Sequence, residues 1–414
     1  EQMRTPLPAD TAEIEQEKLE LEHLPSVKLV NDIINGALDR RASDIHFEPQ
    51  DPEMMVRYRV DGVLYDIMNI PRQVENSTIS RLKIMANLNI TETRRPQDGH
   101  ITYRRGDRGY DFRMSTLKTI NGEKVVLRVL DREAMHIGLE RLGFTPEDES
   151  LFRSMVTKPF GMILVTGPTG SGKTTTLYAV LSQLDINKAN VITIENPVEY
   201  KLDGINQIQV DTDTGMTFAR GLRTILRQDP DIILVGEIRD KETAEIAIHA
   251  ALTGHLVFST LHTNDAPSAI TRLLDMGVEP FLISATVIGC VAQRLCRTVC
   301  PECKTEFEAS DGDLKTIEQA FGEKQRGKVM LKKGIGCDFC LDTGFKGRES
   351  IFEIMNISSA IRKLIVSKAS ADEIRETAVN EGMKTLTQNG IRKILNGKST
   401  LEEIRRVVYI EDEV

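Results

Sequence analysis

The residues best suited to chemistry form a glycine-rich loop that ends in a lysine and two threonines. The stretch matches the pattern G-x-x-x-x-G-K-[ST], with a buried strand predicted before it and a helix after it. Glycines let backbone N–H groups converge on phosphate oxygens at the amino end of a helix. We therefore expect ATP to bind at Gly167, Pro168, Thr169, Gly170, Ser171, Gly172, Lys173, Thr174 and Thr175.

Within this loop, Lys173 is expected to reach the β- and γ-phosphates, and the hydroxyl of Thr174 is expected to hold Mg²⁺. The alternative interpretation is a glycine-rich turn between a strand and a helix that binds nothing. The complete match in a strand–loop–helix context favours nucleotide binding.

Two acidic residues follow apolar strand patterns and are candidates for the hydrolytic chemistry. Glu237 comes shortly after the run Ile232–Val235, and Glu195 ends the run that starts at Val191. Ligands bind at the carboxyl ends of parallel strands, so both acids are expected beside the phosphate loop. A carboxylate there orients water on the γ-phosphate or holds a magnesium-bound water. The alternative for either acid is a solvated charge at a strand end, and which of them is the main water-orienting acid stays open.

Four of the six cysteines form two C-x-x-C pairs that are 33 residues apart. They are Cys300, Cys303, Cys337 and Cys340. Two such pairs can present four thiolates to one tetrahedral ion, which predicts a structural zinc site. The alternatives are free or redox-active thiols, and Cys296 is an alternative ligand. Cys290 lies in an apolar stretch and is expected in the core.

The elements that would position these residues fall into two blocks. Residues 25–133 combine a helical pattern with alternating strand patterns, which indicates a small N-terminal α+β domain. Residues 148–295 alternate short apolar strands with helices, which predicts an α/β domain built on a largely parallel sheet. The remaining segments are predicted to be a linker or partial N-terminal segment at 1–24, an interdomain linker at 134–147, a tetracysteine subdomain at 296–345 and a C-terminal helical subdomain at 346–414.

The net charge and the lengths of the apolar runs limit the classes of partner that we expect this chain to bind. The net charge of −9 argues against dominant nucleic-acid binding, because phosphate affinity needs concentrated Lys and Arg. No apolar run approaches the roughly 18 residues of a membrane span, so we expect a cytoplasmic protein. The sequence does not begin with Met, and we expect further residues upstream.

Over nearly its whole length the chain resembles the type II secretion and type IV pilus assembly ATPases, the GspE/PilB class of secretion ATPases. The likeness extends beyond the phosphate loop to an acidic box, to the run that ends in Glu237, and to a box that contains two histidines. These motifs are Thr193–Tyr200, Leu226–Asp240 and Thr253–Ala266. Together they are far more specific than the phosphate loop alone.

The resemblance implies a homo-hexamer in which a RecA-like P-loop ATPase domain follows a small PAS-like α+β domain. It makes Glu237 and Glu195 the catalytic acids. It also places His262 on the γ-phosphate side of the nucleotide, with His255 close by. The family usually has Asp where this chain has Asn196, which favours the two glutamates over position 196 for metal binding and base chemistry.

Two arginines of the first domain match family positions that reach the nucleotide. Arg113 and Arg128 lie on strand patterns with apolar neighbours, and the resemblance implies that domain closure brings them to the γ-phosphate. A positive charge aimed there stabilises the transition state of phosphoryl transfer. The alternative is a pair of strand-face charges that bind nearby acids.

The resemblance implies a motor that hydrolyses ATP with Mg²⁺ and powers assembly of a type IV pilus or a type II secretion pseudopilus. Its expected partners are the inner-membrane platform and assembly proteins of that machine, which would associate it peripherally with the inner membrane. The four cysteines favour the assembly members over the retraction members. Two alternatives are a RecA-like nucleic-acid motor and a nucleotide-switched scaffold with little turnover.

Overall fold

The protein is described by a computed structural model that covers residues 25–130, 138–185, 187–322 and 328–410. The chain divides into two compact units, Glu1–Glu133 and Ala134–Val414. The segment 1–24 and the first part of the 134–147 linker, both predicted from the sequence, lie outside the described residues.

The first unit is built on a six-stranded antiparallel sheet with the strand order β3-β2-β1-β6-β5-β4. The strands are β1 (Asp44–Pro49), β2 (Met54–Val60), β3 (Val63–Ile70), β4 (Gln97–Arg105), β5 (Arg108–Lys118) and β6 (Glu123–Leu130). Helices α1 (Pro25–Asp39) and α2 (Arg72–Met85) contribute to a core that includes Ile34, Leu82 and Phe112. The strand predictions for this unit are confirmed, and α2 was not predicted.

The alternating apolar and polar residues between Met54 and Asp66 form a β-hairpin. Asp61 and Gly62 connect β2 to β3, and both have positive φ angles, 49° and 86°. Two-residue hairpin turns of this kind favour Asp-Gly, because glycine adopts positive φ without steric cost.

The second unit is built on a seven-stranded sheet with the order β15-β12-β7-β11-β10-β8-β9. Its strands are β7 (Gly161–Thr166), β8 (Val191–Glu195), β9 (Asn206–Gln209), β10 (Ile232–Val235), β11 (Leu256–Leu261), β12 (Val287–Val299) and β15 (Phe345–Asn356). All neighbours pair in parallel except β12 and β15, which are antiparallel. The predicted parallel α/β sheet is therefore confirmed.

Helices cover both faces of this sheet, which is why β7, β8, β10 and β11 are buried along their whole length. Alternate residues of one strand join different cores: Met162 and Leu164 pack in one, Ile163 and Val165 in the other. The helices are α3 (Pro146–Val156), α4 (Lys173–Leu181), α5 (Phe218–Ile225), α6 (Lys241–Leu252), α7 (Pro267–Asp275) and α8 (Pro280–Thr286).

A small subdomain lies in the chain between β12 and β15. It contains α9 (Asp311–Phe321) and a two-stranded antiparallel sheet of β13 (Lys304–Glu308) and β14 (Met330–Gly334). Val299 and Phe345 are partners in the β12–β15 register, so the whole of 300–344 is the connection of one strand pair.

The C-terminal segment contains four helices among its described residues. They are α10 (Ser359–Val366), α11 (Ala371–Asn380), α12 (Leu386–Leu395) and α13 (Leu401–Val407). The segment predicted to be helical from 346 nevertheless opens with the long strand β15, which belongs to the seven-stranded sheet. Within the described ranges, no helix is both long enough and apolar enough to cross a membrane.

Candidate functional site

The glycine-rich loop connects β7 to α4, as the sequence predicts. Gly167, Gly170 and Gly172 have φ angles of 150°, 78° and 90°, which residues with a Cβ rarely adopt. A Cβ on Gly167 would lie 2.5 Å from the carbonyl oxygen of Gln293. Close packing and positive φ together explain why glycine is needed at this loop, whose outer residues Pro168 and Thr169 are exposed.

Lys173 is the first residue of α4, and its side chain is buried. Its Nζ donates to the carbonyl oxygens of Gly167 at 2.7 Å and Pro168 at 3.1 Å. Burial lowers the pKa of Lys173 to about 8, and the negative charge of Glu237 opposes this shift. The ammonium group is thus held inside the phosphate loop with Glu237 near enough to act on it electrostatically. Thr174, the expected magnesium ligand, is the next residue of the helix and is half-buried.

Glu237 lies just beyond the carboxyl end of β10, on the same edge of the sheet as the phosphate loop. One carboxylate oxygen is 2.6 Å from Nη2 of Arg239, and the other is 3.3 Å from Nε2 of His262. β10 and β11 are parallel neighbours in register, so their carboxyl ends bring Glu237 and His262 together. A carboxylate next to an imidazole and a buried ammonium is suited to orienting water and stabilising phosphate charge.

Glu195 also lies at the carboxyl end of its strand, but hydrogen bonds inside the protein engage it. It accepts from the hydroxyls of Tyr178 and Thr193, the latter at 2.6 Å, and from Nε2 of Gln207 at 3.3 Å. It is 3% exposed, and burial raises its pKa while the hydroxyl donors oppose that effect. In this arrangement Glu195 connects β8 to α4 and β9.

The two histidines of the predicted histidine box occupy opposite ends of β11. His262 follows the strand at its carboxyl end, whereas His255 precedes it and lies 2.9 Å from the carbonyl oxygen of Ala250. The six residues of the strand lie between them, and seven residue steps of about 3.3 Å place them roughly 23 Å apart. The expectation that His255 lies close to His262 is therefore wrong, because consecutive residues of a strand advance along it rather than cluster.

Two residues of β12 line the phosphate loop and were missed from the sequence. Gln293 accepts from the Thr176 hydroxyl of α4 at 2.8 Å and donates to Ser350 of β15 at 3.0 Å. Arg294 is half-buried, and its positive charge contributes to lowering the Lys173 pKa. The sequence signal that could have identified them is the Gln-Arg pair inside the apolar run of β12. Polar side chains are unfavourable in a core strand unless polar groups lie beside them.

The four cysteines of the two C-x-x-C pairs come together in the second unit. Their sulfur atoms all lie within 4.8 Å of one another, and the contacts that join the two pairs, Cys300–Cys337 and Cys303–Cys340, are both 3.8 Å. Four sulfurs around a tetrahedral zinc ion with Zn–S bonds of about 2.3 Å are about 3.8 Å apart, so the cluster fits such an ion. Cys296 is not in the cluster; its thiol donates to the Glu349 carbonyl oxygen at 3.4 Å.

Arg113 and Arg128 belong to the first unit, where they are register partners on β5 and β6. Their row continues across the sheet to Asp44 of β1, which lies opposite Arg128, and to His100 of β4, which lies opposite Arg113. Nε of Arg128 is 3.0 Å from Oδ1 of Asp44. The sheet thus presents two arginines side by side, and at least one of them makes an ion pair within the unit.

Comparison with protein families and curated proteins gives a consistent result. The model of the type II/IV secretion system protein family matches residues 20–406. The chain is 47% identical over 396 residues to the type IV pilus assembly ATPase PilB of Myxococcus xanthus, and the alignment covers 95% of this chain and 70% of that protein. It is 48% identical over 387 residues to the type II secretion system protein E of Pseudomonas aeruginosa, and this alignment covers 94% of this chain and 76% of that protein.

Comparison with solved structures gives the same fold. The ATPase DotB of Legionella pneumophila superposes with a TM-score of 0.67 at 20% identity and covers 91% of this chain and 94% of its own. The pilus retraction motor PilT with bound ADP superposes with a TM-score of 0.59 at 27% identity, over 91% of this chain and 95% of that one.

Proposed function

The chain belongs to the type II/IV secretion system protein family and is an ATPase of that family; from this premise we propose that it is a hexameric motor. ATP hydrolysis moves its two units relative to each other, and the ring thereby drives assembly of a type IV pilus or a type II secretion pseudopilus. Glu237 orients the attacking water, His262 contacts the γ-phosphate, and Lys173 binds the β- and γ-phosphates.

The observation that carries the hydrolytic part of this proposal is the grouping of Glu237, His262 and Lys173 at one edge of the parallel sheet. Glu237 lies 3.3 Å from His262 and acts electrostatically on Lys173. Phosphoryl transfer depends mainly on positioning and on electrostatic stabilisation, and these three side chains supply both.

Glu237 is favoured over Glu195 as the main water-orienting acid. Glu195 is 3% exposed and already accepts three hydrogen bonds from side chains around it. A carboxylate with its oxygens engaged in this way has little capacity left for water. We assign to Glu195 the role of holding α4, through Tyr178, against β8.

Replacing Glu237 with Gln tests the proposal, because the amide keeps the size of the side chain and removes its charge. We expect phosphate release to fall by about 100-fold or more, while ATP binding is retained. The measurement is steady-state phosphate release together with the dissociation constant of a fluorescent ATP analogue. Glu195→Gln should lose less activity than Glu237→Gln.

The matched control is Glu242→Gln. Glu242, on α6, also pairs with an arginine, Arg223, at 2.7 Å, and it makes no hydrogen bond or ion pair with the phosphate loop among the described residues. It should keep wild-type turnover. Phosphate release equally slow in the wild type and in Glu237→Gln would instead identify a nucleotide-switched scaffold.

Two metal ions belong to the proposal. Thr174 supplies its hydroxyl to Mg²⁺, which neutralises phosphate charge when ATP is bound. The four-cysteine cluster binds structural zinc, supported by sulfur separations that match a tetrahedral ion.

The proposed partners are the inner-membrane platform and assembly proteins of the pilus or secretion machine, which hold the motor at the cytoplasmic face of the inner membrane. Support comes from relatives named as pilus assembly and type II secretion proteins. Co-purification from membranes with the products of neighbouring genes tests this part, and recovery of the full-length protein without any membrane protein contradicts it.

A further inference from the structure

The loop Thr263–Ala266 follows β11, and each of its residues is held by a different element. Thr263 N–H donates to Oγ1 of Thr166 at 2.8 Å, and Thr166 ends β7 directly before the phosphate loop. Nη2 of Arg294, on β12, donates to the carbonyl oxygen of Asn264 at 2.9 Å. The first half of the loop is therefore attached to the nucleotide edge of the sheet.

The second half of the loop is attached to the C-terminal helices. Oδ2 of Asp265 accepts from Nη2 of Arg375, on α11, at 2.9 Å. Ala266 N–H donates to one carboxylate oxygen of Glu353 at 2.8 Å. The other oxygen of Glu353 accepts from the N–H of Leu386, the first residue of α12, at 3.1 Å.

Glu353 is 2% exposed, and burial raises its pKa to about 7. A buried carboxylate is costly unless donors surround it. Here the two donors are the backbone N–H groups at the starts of α7 and α12, where the helix dipoles also favour negative charge. The starts of these two helices cannot move apart without leaving an oxygen of Glu353 buried and unsatisfied.

We propose that Glu353 is a positioning residue for ATP hydrolysis, which links the loop after His262 to helix α12 of the C-terminal segment. A displacement of α12 is transmitted through Glu353 to Ala266 and so to the contact between His262 and Glu237. Arg375 provides a second link through Asp265, and the loop keeps its position only when both links are intact. This inference rests on the proposed function, since it concerns the same hydrolytic site.

The first test is Glu353→Gln, which is nearly isosteric. An amide has one accepting oxygen, so it satisfies only one of the two N–H donors and presents its own NH₂ group to the other. We expect kcat for ATP hydrolysis to fall by about 10-fold, because the loop after His262 loses its position, while KM for ATP changes less than about 2-fold. Steady-state kinetics on the full chain measure both constants.

The matched control is Glu403→Gln. Glu403, on α13, is also a buried carboxylate, 1% exposed, and it accepts from the backbone N–H of Arg297 at 2.9 Å. It does not contact the loop Thr263–Ala266 through any hydrogen bond that the structure describes. The Glu403→Gln variant should keep wild-type kcat even if its melting temperature falls as much as that of the Glu353→Gln variant.

A double-variant cycle separates positioning from general destabilisation. If Glu353 acts through His262, then Glu353→Gln adds little loss of kcat to a chain that already carries His262→Gln. Losses of kcat that multiply in the double variant overturn the proposal. The proposal is also overturned if Glu353→Gln has wild-type kcat while Glu237→Gln is inactive. That result would not contradict the proposed function.

A second variant covers the case in which Glu353→Gln does not fold. Arg375→Gln removes the link to Asp265 at a side chain that is 36% exposed, so the core is untouched. It should also lower kcat with little change in KM and be non-additive with His262→Gln. Unchanged kcat in this variant would then overturn the inference.

Discussion

We propose that nucleotide affinity depends most directly on the ammonium group of Lys173. It is buried, and two carbonyl oxygens of its own loop accept its hydrogen bonds. Burial lowers its pKa to about 8, so near this pH a substantial fraction of the side chains is neutral. A bound triphosphate adds several negative charges beside the group, which favours the protonated form.

ATP binding should therefore take up a proton in mildly alkaline solution. At pH 8 about half of the Lys173 side chains are neutral before binding, so we expect uptake of about half a proton per site, and less at pH 7. Isothermal titration in buffers of different ionisation enthalpy measures this number. Lys173→Arg, studied at saturating ATP, should show no uptake because the guanidinium stays charged; absence of uptake in the wild type at pH 8 contradicts the prediction.

At this scale the sequence predicted some of the side chains at this edge of the sheet, but it missed Gln293 and Arg294 and did not predict how each side chain is engaged. Lys173 was predicted from the phosphate-loop motif, Glu237 from a strand end and His262 from the resemblance to the secretion ATPases. The hydrogen bonds of Glu195 could not be predicted, because Tyr178 and Gln207 reach it only through helix and strand packing. The same holds for Glu353, whose two donors lie on helices far apart in the sequence.

Among the elements, the β12–β15 pair does most to join separate parts of the second unit. Near its middle, Gln293 and Arg294 of β12 lie beside the phosphate loop, and its far end leads into the cysteine cluster. Neither strand was predicted. Polar residues interrupt the apolar pattern of β12, and its antiparallel partner comes more than forty residues later. The strands β7, β8, β10 and β11 were predictable because both of their faces are covered, so each is a short continuous apolar run.

The cysteine cluster gives the clearest prediction about an element. Cys340→Ser replaces one of four ligands with a poor zinc ligand, and the zinc content should fall from about one ion per chain to near zero, with a lower melting temperature. Mass spectrometry of the metal and thermal unfolding measure the two effects.

Cys296→Ser is the control for this experiment, since Cys296 is a buried cysteine outside the cluster whose hydrogen bond to Glu349 a serine hydroxyl can replace. It should retain about one zinc ion. Full zinc content in Cys340→Ser would contradict the proposed ligand set.

At the scale of the whole molecule, the first unit also contributes to the proposed catalytic mechanism. That unit carries Arg113 and Arg128 side by side on one sheet. We propose that motion of the two units brings these arginines to the γ-phosphate, where they stabilise the transition state. The ion pair of Arg128 with Asp44 supports the competing interpretation, a structural pair within the sheet.

Replacing either arginine with Ala should reduce turnover by about 100-fold or more while leaving ATP affinity nearly unchanged, because the charge acts mainly in the transition state. Single-turnover hydrolysis and nucleotide titration measure the two quantities separately. The control is Arg105→Ala, because Arg105 is an exposed arginine of the same sheet that pairs with Asp39 of α1. Wild-type turnover in Arg128→Ala would identify its pair with Asp44 as structural.

The pairing of Val299 with Phe345 has a consequence for the topology of the sheet. Since β12 and β15 are antiparallel and adjacent, the cysteine subdomain is topologically the loop of one long hairpin. Its removal would leave the order and direction of every strand in the seven-stranded sheet unchanged. It would also uncover part of the core, because Ile317 and Leu331 of this subdomain pack in the same hydrophobic core as Ile391 of α12 and Ile404 of α13. The metal-binding part is therefore independent of the sheet in topology but not in packing.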